Sequence, residues 1–290
     1  ADVFRRYRMK NILVTGASGQ LGQSLRQRCL AFPEMTLQFY SRQDFDLEQP
    51  DQMSRVLDEQ NPSVVLNTAA YTAVDTAENE PDRAFAINTL GVRNLAELCA
   101  ARDITLLHVS TDYVFNGKAN QPYLEAHPTA PLGIYGQSKL QGEQAVEEIN
   151  PAHYIVRTSW LYGPYGHNFL KAMLKLADQG KSLTITTEQT GSPTSTLDLA
   201  DALLGLLEKQ APYGTYHFSN RGQTTWYGFA KEIFKQTHQL DGVKLAETAE
   251  YPTFAKRPKY SVLDTNKIEQ TLQQPIRSWQ EALAEVIHQI

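Results

Sequence analysis

Seven residues near the start of the chain, Gly16-Ala17-Ser18-Gly19-Gln20-Leu21-Gly22, constrain its fold more than any others. They lie directly between an apolar, β-branched run, Asn11–Thr15 (NILVT), and a stretch in which Leu21, Leu25 and Cys29 recur at helical spacing. Gly16 permits a tight turn, Gly19 lets a pyrophosphate approach the backbone, and Gly22 lets helix and strand pack closely. The helix N-terminus then offers free N–H groups and a partial positive charge to phosphates. A strand–helix turn without a ligand would also use glycines. Their placement after an N-terminal strand, opening an amphipathic helix, is what points to a dinucleotide.

The first half of the chain repeats this alternation. Leu37–Tyr40, Ser63–Asn67 (SVVLN), Ile104–Val109 (ITLLHV) and Tyr154–Arg157 (YIVR) read as further strands. Gln20–Ala31, Gln52–Glu59, Pro81–Ala101 and Tyr135–Ile149 read as the helices between them. Such alternation means parallel strands joined by right-handed crossovers, with both faces of the sheet covered. The expected fold class is α/β, a doubly wound parallel sheet with a smaller C-terminal substrate-binding part. After about Thr158 the rhythm loosens, and proline and glycine cluster at Gly163-Pro164, Gly191–Pro193 and Pro212–Gly214. Helices are expected at Asn168–Asp178, Leu197–Lys209, Trp226–Gln236 and Ser278–Gln289. The dinucleotide-binding domain is placed at 9–158 with about 180–211, and the substrate-binding part at about 159–179 and 212–290.

Composition narrows the function. Lys plus Arg is 27 and Asp plus Glu is 32, a net charge of −5, without the basic excess that a general nucleic-acid binder needs. No apolar run approaches the ~20 residues that span a bilayer. Two cysteines, Cys29 and Cys99, exclude a disulfide framework and a cysteine-based zinc site, and fit a reducing cytoplasm. Residues 1–8, with Arg5, Arg6 and Arg8, read as an expression scar before a native start at Met9; a basic membrane-touching arm is the other reading.

Two more sites carry chemistry. An acid about 20 positions past the glycines would favour NAD, and an Arg there NADP. Here the segment is Tyr40-Ser41-Arg42, which favours NADPH, while Asp44 and Asp46 leave NADH open. Tyr135-Gly136-Gln137-Ser138-Lys139 sets a phenol and an ammonium on one helix face. A neighbouring cation favours the phenolate, which suits a general acid that protonates an alkoxide. A hydroxyl to polarise a carbonyl is expected where the fourth strand ends. Thr111 is the choice there, and Ser110 the competitor.

These residues carry a resemblance. The chain resembles the extended short-chain dehydrogenase/reductases, whose fold is Rossmann-type, and more narrowly the dTDP-4-dehydrorhamnose reductase family. The blocks are Gly16–Gly22, Asn67–Asp75 with Ala77-Glu78, Ser110–Phe115, Pro131–Lys139, Arg157–Trp160 and Asn168-Phe169. The resemblance implies that Gly19, Gln20 and Leu21 line the cofactor phosphates. Asp46 and Leu47 would contact its adenine end, and Ala69 and Ala70 would pass beneath it. Thr111, Tyr135 and Lys139 match the catalytic trio. Trp160, Asp112, Tyr113 and Asn168 fall at the sugar nucleotide, a dTDP-sugar. Thr68 departs from the family's usual alanine. A cytoplasmic homodimer is expected. Some members form a magnesium-bridged dimer through C-terminal glutamates, for which Glu281 and Glu285 are the nearest candidates; no required metal is expected. Sugar-nucleotide dehydratases follow the catalytic Thr with Asp-Glu, and here Asp112-Tyr113 stands instead. That leaves reduction of a 4-keto sugar, with an epimerase or a non-catalytic NADP-binding subunit like that of methionine adenosyltransferase as rivals.

Overall fold

The computed structural model describes residues 11–290, so the expected scar and start at Met9 lie outside the described residues. Six parallel strands make the central sheet: β1 (Asn11–Val14), β2 (Thr36–Phe39), β3 (Val64–Asn67), β4 (Thr105–Thr111), β5 (His153–Thr158) and β6 (Gly214–His217). Their order is β6-β5-β4-β3-β1-β2. Ile12 stands level with Leu37 and Val64, and Leu107 with Leu66 and Tyr154.

Side chains of a strand alternate between faces, and here both faces are apolar. Ile12, Val14, Leu66, Leu107 and Val156 pack beneath α1 (Gln20–Arg28) and, further along, α6 (Thr196–Glu208). Leu13, Val65, Leu106 and Ile155 pack on the other side, under α2 (Pro50–Gln60), α3 (Val92–Ala101) and α4 (Ile134–Ile149). This is the doubly wound arrangement expected from the continuous apolar strands. A separate core joins α5 (Phe169–Asp178), α7 (Trp226–Gln236) and α8 (Trp279–His288) through Leu170, Phe229, Phe234, Trp279 and Leu283. Helix α6 serves both cores, with Leu199 and Leu203 toward the sheet and Leu197 toward the second.

The strand order reverses between β1 and β3. At such a point the loops diverge and leave a crevice beyond the carboxyl ends of the strands. Gly16 follows β1, Thr68 follows β3, and Thr111 ends β4, so three of the singled-out segments meet there by topology.

The sequence assigns about 180–211 to the dinucleotide-binding domain and about 159–179 and 212–290 to the substrate-binding part. Gly214–His217 pairs with β5 inside the sheet, while Leu183–Thr186 pairs with Leu245–Thr248 outside it. Strands of four residues are too short to display a period. The helix expected over 81–101 is also interrupted: a π-helical stretch, Ala86–Gly91, separates Pro81–Phe85 from α3. Its wider turn sends Asn88 inward, where Oδ1 accepts from the Tyr71 N–H at 2.8 Å and Nδ2 donates to the Tyr71 carbonyl at 2.9 Å. The Asn88 carbonyl lies 2.2 Å from where a Cβ on Gly142 would sit, so α4 approaches this turn only through a glycine.

Candidate active site

The glycine turn divides into two kinds of position. Gly16 has φ +62°, and a Cβ there would meet Thr68 Oγ1 at 2.6 Å. A Cβ on Gly22 would stand 2.4 Å from the Gly16 carbonyl oxygen. Packing within the chain explains both. Gly19 is different, because its Cβ would meet only the Gly16 oxygen, at 3.3 Å. The chain leaves space there that it does not fill. Helix α1 starts on Gly19 without a side-chain cap. By contrast α5, α6, α7 and α8 are capped by Asn168, Ser195, Thr225 and Ser278, and α4 has the Ile134 N–H taken by Glu78 at 3.1 Å. An open N-terminus with room beside it fits a dinucleotide diphosphate. Gln20 is turned toward the Leu161 carbonyl at 3.4 Å, and the buried Leu21 side chain leaves only backbone for a phosphate. Thr68 earns its departure from alanine by donating to the Thr15 carbonyl at 2.7 Å, and Thr15 Oγ1 donates to Asn67 Oδ1 at 2.6 Å. These bonds lock β1 and β3 together at the crevice.

Beyond β2, Arg42 is 62% exposed and faces two acids, Glu48 at 3.0 Å and Asp46 at 3.7 Å. The Asp46 carboxylate also accepts the Glu48 N–H at 2.9 Å. The Leu47 side chain is buried in the sheet core and abuts Gly91, so only its backbone is left for a ligand. Ala69 and Ala70, just past β3, are partly exposed at the crevice.

Thr111, Tyr135 and Lys139 come together where β4 ends against α4. The Thr111 hydroxyl lies near the Tyr135 phenol, donates to Asp112 at 3.2 Å, and accepts the Tyr113 N–H at 3.1 Å. The helix approaches this closely because position 136 is glycine: a Cβ there would lie 2.3 Å from the Tyr113 carbonyl oxygen. Lys139 donates to the Val109 carbonyl at 2.9 Å. Burial pushes the Tyr135 phenol well up, with Thr111 pulling the other way. Burial brings the Lys139 ammonium down to about 8, and Glu143 opposes that fall. Ser110 points away, donating to Glu143 at 2.6 Å.

Asp112, placed by the sequence beside the substrate, is 2% exposed and accepts the Thr111 hydroxyl, with Ser261 close by. Burial raises its carboxyl from 3.8 to about 7. In the unfolded chain the proton leaves near 3.8; in the folded chain it stays until about 7. Between those values the folded state binds the extra proton, so Asp112 makes stability fall as pH rises across that window. Asp112→Asn keeps an acceptor for the Thr111 hydroxyl and cannot ionise. We expect the Asn variant to gain roughly 2–4 kcal/mol over wild type at pH 8 and almost none at pH 4. Urea unfolding at both pH values checks this, and an equal difference at both would show that Asp112 is ionised in the fold.

Trp160 stands after β5 with φ +47° and stacks on Trp226, ring centroids 3.8 Å apart and planes within 10°. Gly191 lies beneath it, where a Cβ would be 2.6 Å from the indole. Beside this pair opens a cleft of about 350 Å³ lined by Asp75, Phe169, Gln189, Trp226, Tyr251 and Arg257. Arg257 reaches Asp75 at 2.7 Å and donates to the Tyr113 phenol at 3.1 Å, and the Tyr113 ring meets the Tyr135 ring edge-on at 5.6 Å. Asn168 is the α5 cap: Oδ1 accepts the Lys171 N–H, and Nδ2 donates to the Gly163 carbonyl at 2.9 Å. Its amide is therefore committed to the backbone. The sequence reading missed Trp226 and Arg257. Thr225 ahead of Trp226 signalled a helix start, but nothing periodic surrounds Arg257.

Neither candidate metal glutamate is free. Glu285 is held by Arg28 at 2.5 Å and by Arg277, while Glu281 closes a capping box with Ser278. Among the described residues no group of three or more His, Cys, Asp or Glu is arranged to hold a metal ion, and no helix is long and apolar enough to cross a membrane.

The family model described as RmlD substrate binding domain matches residues 9–290. A dTDP-4-dehydrorhamnose reductase of Streptomyces griseus is 42% identical over 280 residues, covering 94% of this chain and 91% of its own. That of Sinorhizobium fredii is 38% identical over 286 residues, covering 95% and 96%. The crystal structure of dTDP-4-dehydrorhamnose reductase from Bacillus anthracis in complex with NADP superposes with a TM-score of 0.92 at 38% identity, over 97% of this chain and all of that one. With the glycine turn, the crevice and the Thr111–Tyr135–Lys139 cluster in place, a match of this extent means that the chain belongs to the dTDP-4-dehydrorhamnose reductase family.

Proposed function

We propose that this chain reduces the 4-keto group of dTDP-4-dehydro-L-rhamnose to give dTDP-L-rhamnose, with NADPH as reductant. The observation that carries the reading is the cluster of Thr111, Tyr135 and Lys139 at the carboxyl end of β4, beside an uncapped helix N-terminus. NADPH, when bound, supplies the hydride to carbon 4. Gly16, Gly19, Gln20, Leu21 and Gly22 hold the diphosphate through backbone N–H groups, and Arg42 takes the 2′-phosphate. Tyr135 gives its proton to the carbonyl oxygen as negative charge develops there. Thr111 turns its hydroxyl to the same oxygen and orients it. Lys139 holds the nicotinamide ribose and keeps a positive charge near the phenol as it loses its proton. Tyr113 sits where a dehydratase needs a glutamate, and its phenol is held by Arg257. No carboxylate stands at that position to remove a proton from carbon 5. Trp160 and the cleft beside it receive the sugar nucleotide, with the sheet part holding the cofactor. The enzyme works as a cytoplasmic homodimer.

The test is loss of reduced-cofactor absorbance on adding dTDP-4-dehydro-L-rhamnose, with dTDP-glucose as control and with NADPH and NADH in parallel. Consumption is expected with the keto sugar alone and at a lower KM for NADPH. Stable NADPH with both sugars would overturn the reductase reading and favour a binding subunit. Equal KM values for the two cofactors would remove Arg42 from phosphate recognition.

A further inference from the structure

Beneath the reacting residues lies a buried charge network that this reaction scheme does not use. Glu143 stands one helical turn after Lys139 on α4 and is 1% exposed. Its Oε2 accepts the Ser110 hydroxyl at 2.6 Å. Its two oxygens take the Arg157 guanidinium, Nη2 to Oε1 at 2.7 Å and Nε to Oε2 at 3.1 Å. Arg157, on β5, also donates to the Glu125 carbonyl at 3.2 Å and lies 3.3 Å from His217 Nε2 on β6. A buried ion pair adds little net stability, because desolvating both charges offsets most of their attraction, and an apolar pair of the same volume often does as well. Its position is more informative. Ser110 immediately precedes Thr111, and residues four apart on a helix stand about 5–6 Å apart at Cβ.

We propose that Glu143 is a positioning residue for the reduction: it is the counter-charge of Lys139 and, through Ser110, anchors the strand end that carries Thr111. Its part in turnover rests on the reductase reading. The titratable and charged groups set around Lys139 are Tyr135 and Glu143 on its own helix, His108 on β4, Asp112 just beyond β4, and Arg157 on β5. Burial and the ammonium itself keep His108 neutral, and Asp112 accepts the Thr111 hydroxyl. Glu143 is the carboxylate that acts on Lys139. Arg157 shares that carboxylate and so limits how far it serves the lysine.

The arrangement makes opposite predictions for the two partners. Glu143→Gln keeps the shape and an acceptor for Ser110 but removes the charge, so Lys139 should lose its proton about one pH unit lower. The alkaline limb of kcat/KM should move down with it, and turnover at pH 8 should fall about fivefold. Arg157→Met releases the whole carboxylate to Lys139 and should move the same limb upward. Lys139 is followed directly by 13C NMR of its ε-carbon, identified by its loss in Lys139→Met, which needs no turnover. If Glu143→Gln does not fold, Arg157→Met decides, because it leaves Glu143 bonded to Ser110 and one helical turn from Lys139. A Lys139 titration unmoved in the folded variants would overturn the proposal and leave the pair a structural one. Wild-type protein inert toward the keto sugar would instead fail the reductase reading, with the NMR titration still deciding the counter-charge.

Discussion

Tyr135→Phe should lower kcat by about 10²–10⁴-fold, the range for loss of a positioned general acid, while the protein melts as wild type does and still binds NADPH. The separation of effects follows from the surroundings. Only the hydroxyl is lost, the ring keeps its edge-on contact with Tyr113, and Thr111 retains the Tyr113 N–H and Asp112 as partners. Burial holds the wild-type phenol protonated far above neutral pH, so a proton is available for transfer throughout the working range. Steady-state rates with the keto sugar, with NADPH binding followed by fluorescence, make the measurement. Turnover within a few-fold of wild type would remove Tyr135 from proton transfer.

Gly22→Ala should abolish the dinucleotide site from the opposite direction, by breaking the frame. The new Cβ would meet the Gly16 carbonyl oxygen at 2.4 Å, Ala17 Cα at 2.7 Å and the Ala17 carbonyl oxygen at 2.8 Å. All three are backbone atoms, so no side chain can rotate out of the way. Overpacking of this kind costs about 1–3 kcal/mol or more. It also shifts the turn whose amides hold the diphosphate, so NADPH affinity should fall by at least ~10²-fold. Gly19→Ala is the contrast. Its Cβ meets only one oxygen at 3.3 Å, and φ is −74°, which any residue adopts. That variant should melt within about 0.5 kcal/mol of wild type without cofactor yet bind NADPH roughly tenfold or more weakly, because the Cβ occupies the space left for a phosphate. Thermal melts without cofactor and a binding titration separate the two glycines. Wild-type affinity in Gly19→Ala would show that the diphosphate does not lie on this turn.

Features that depend on local period and local turn chemistry were legible along the chain. The apolar runs of β1, β3, β4 and β5 announced a sheet covered on both faces, and the structure has them parallel and in adjacent register. The three glycines marked the strand-to-helix turn, since only residues without a Cβ tolerate the contacts found at Gly16 and Gly22. The i, i+4 spacing of Tyr135 and Lys139 placed both on one face of a helix that is observed over Ile134–Ile149. Tertiary structure decided what period alone leaves open. Ser110 and Thr111 are equivalent hydroxyls on paper. Only the packing of α4 shows that Ser110 meets Glu143 while Thr111 stands near Tyr135. Asp112 and Leu47 sit in polar, loop-like stretches, yet neighbours distant in sequence bury both: Ser261 behind Asp112 and Gly91 against Leu47. The Trp160–Trp226 stack, the Arg257 bridge between Asp75 and Tyr113, and the return of Gly214–His217 to the sheet all join segments far apart in the chain. A side chain's partner across such a distance is set by how helices and strands pack, and no pattern within a dozen residues records it.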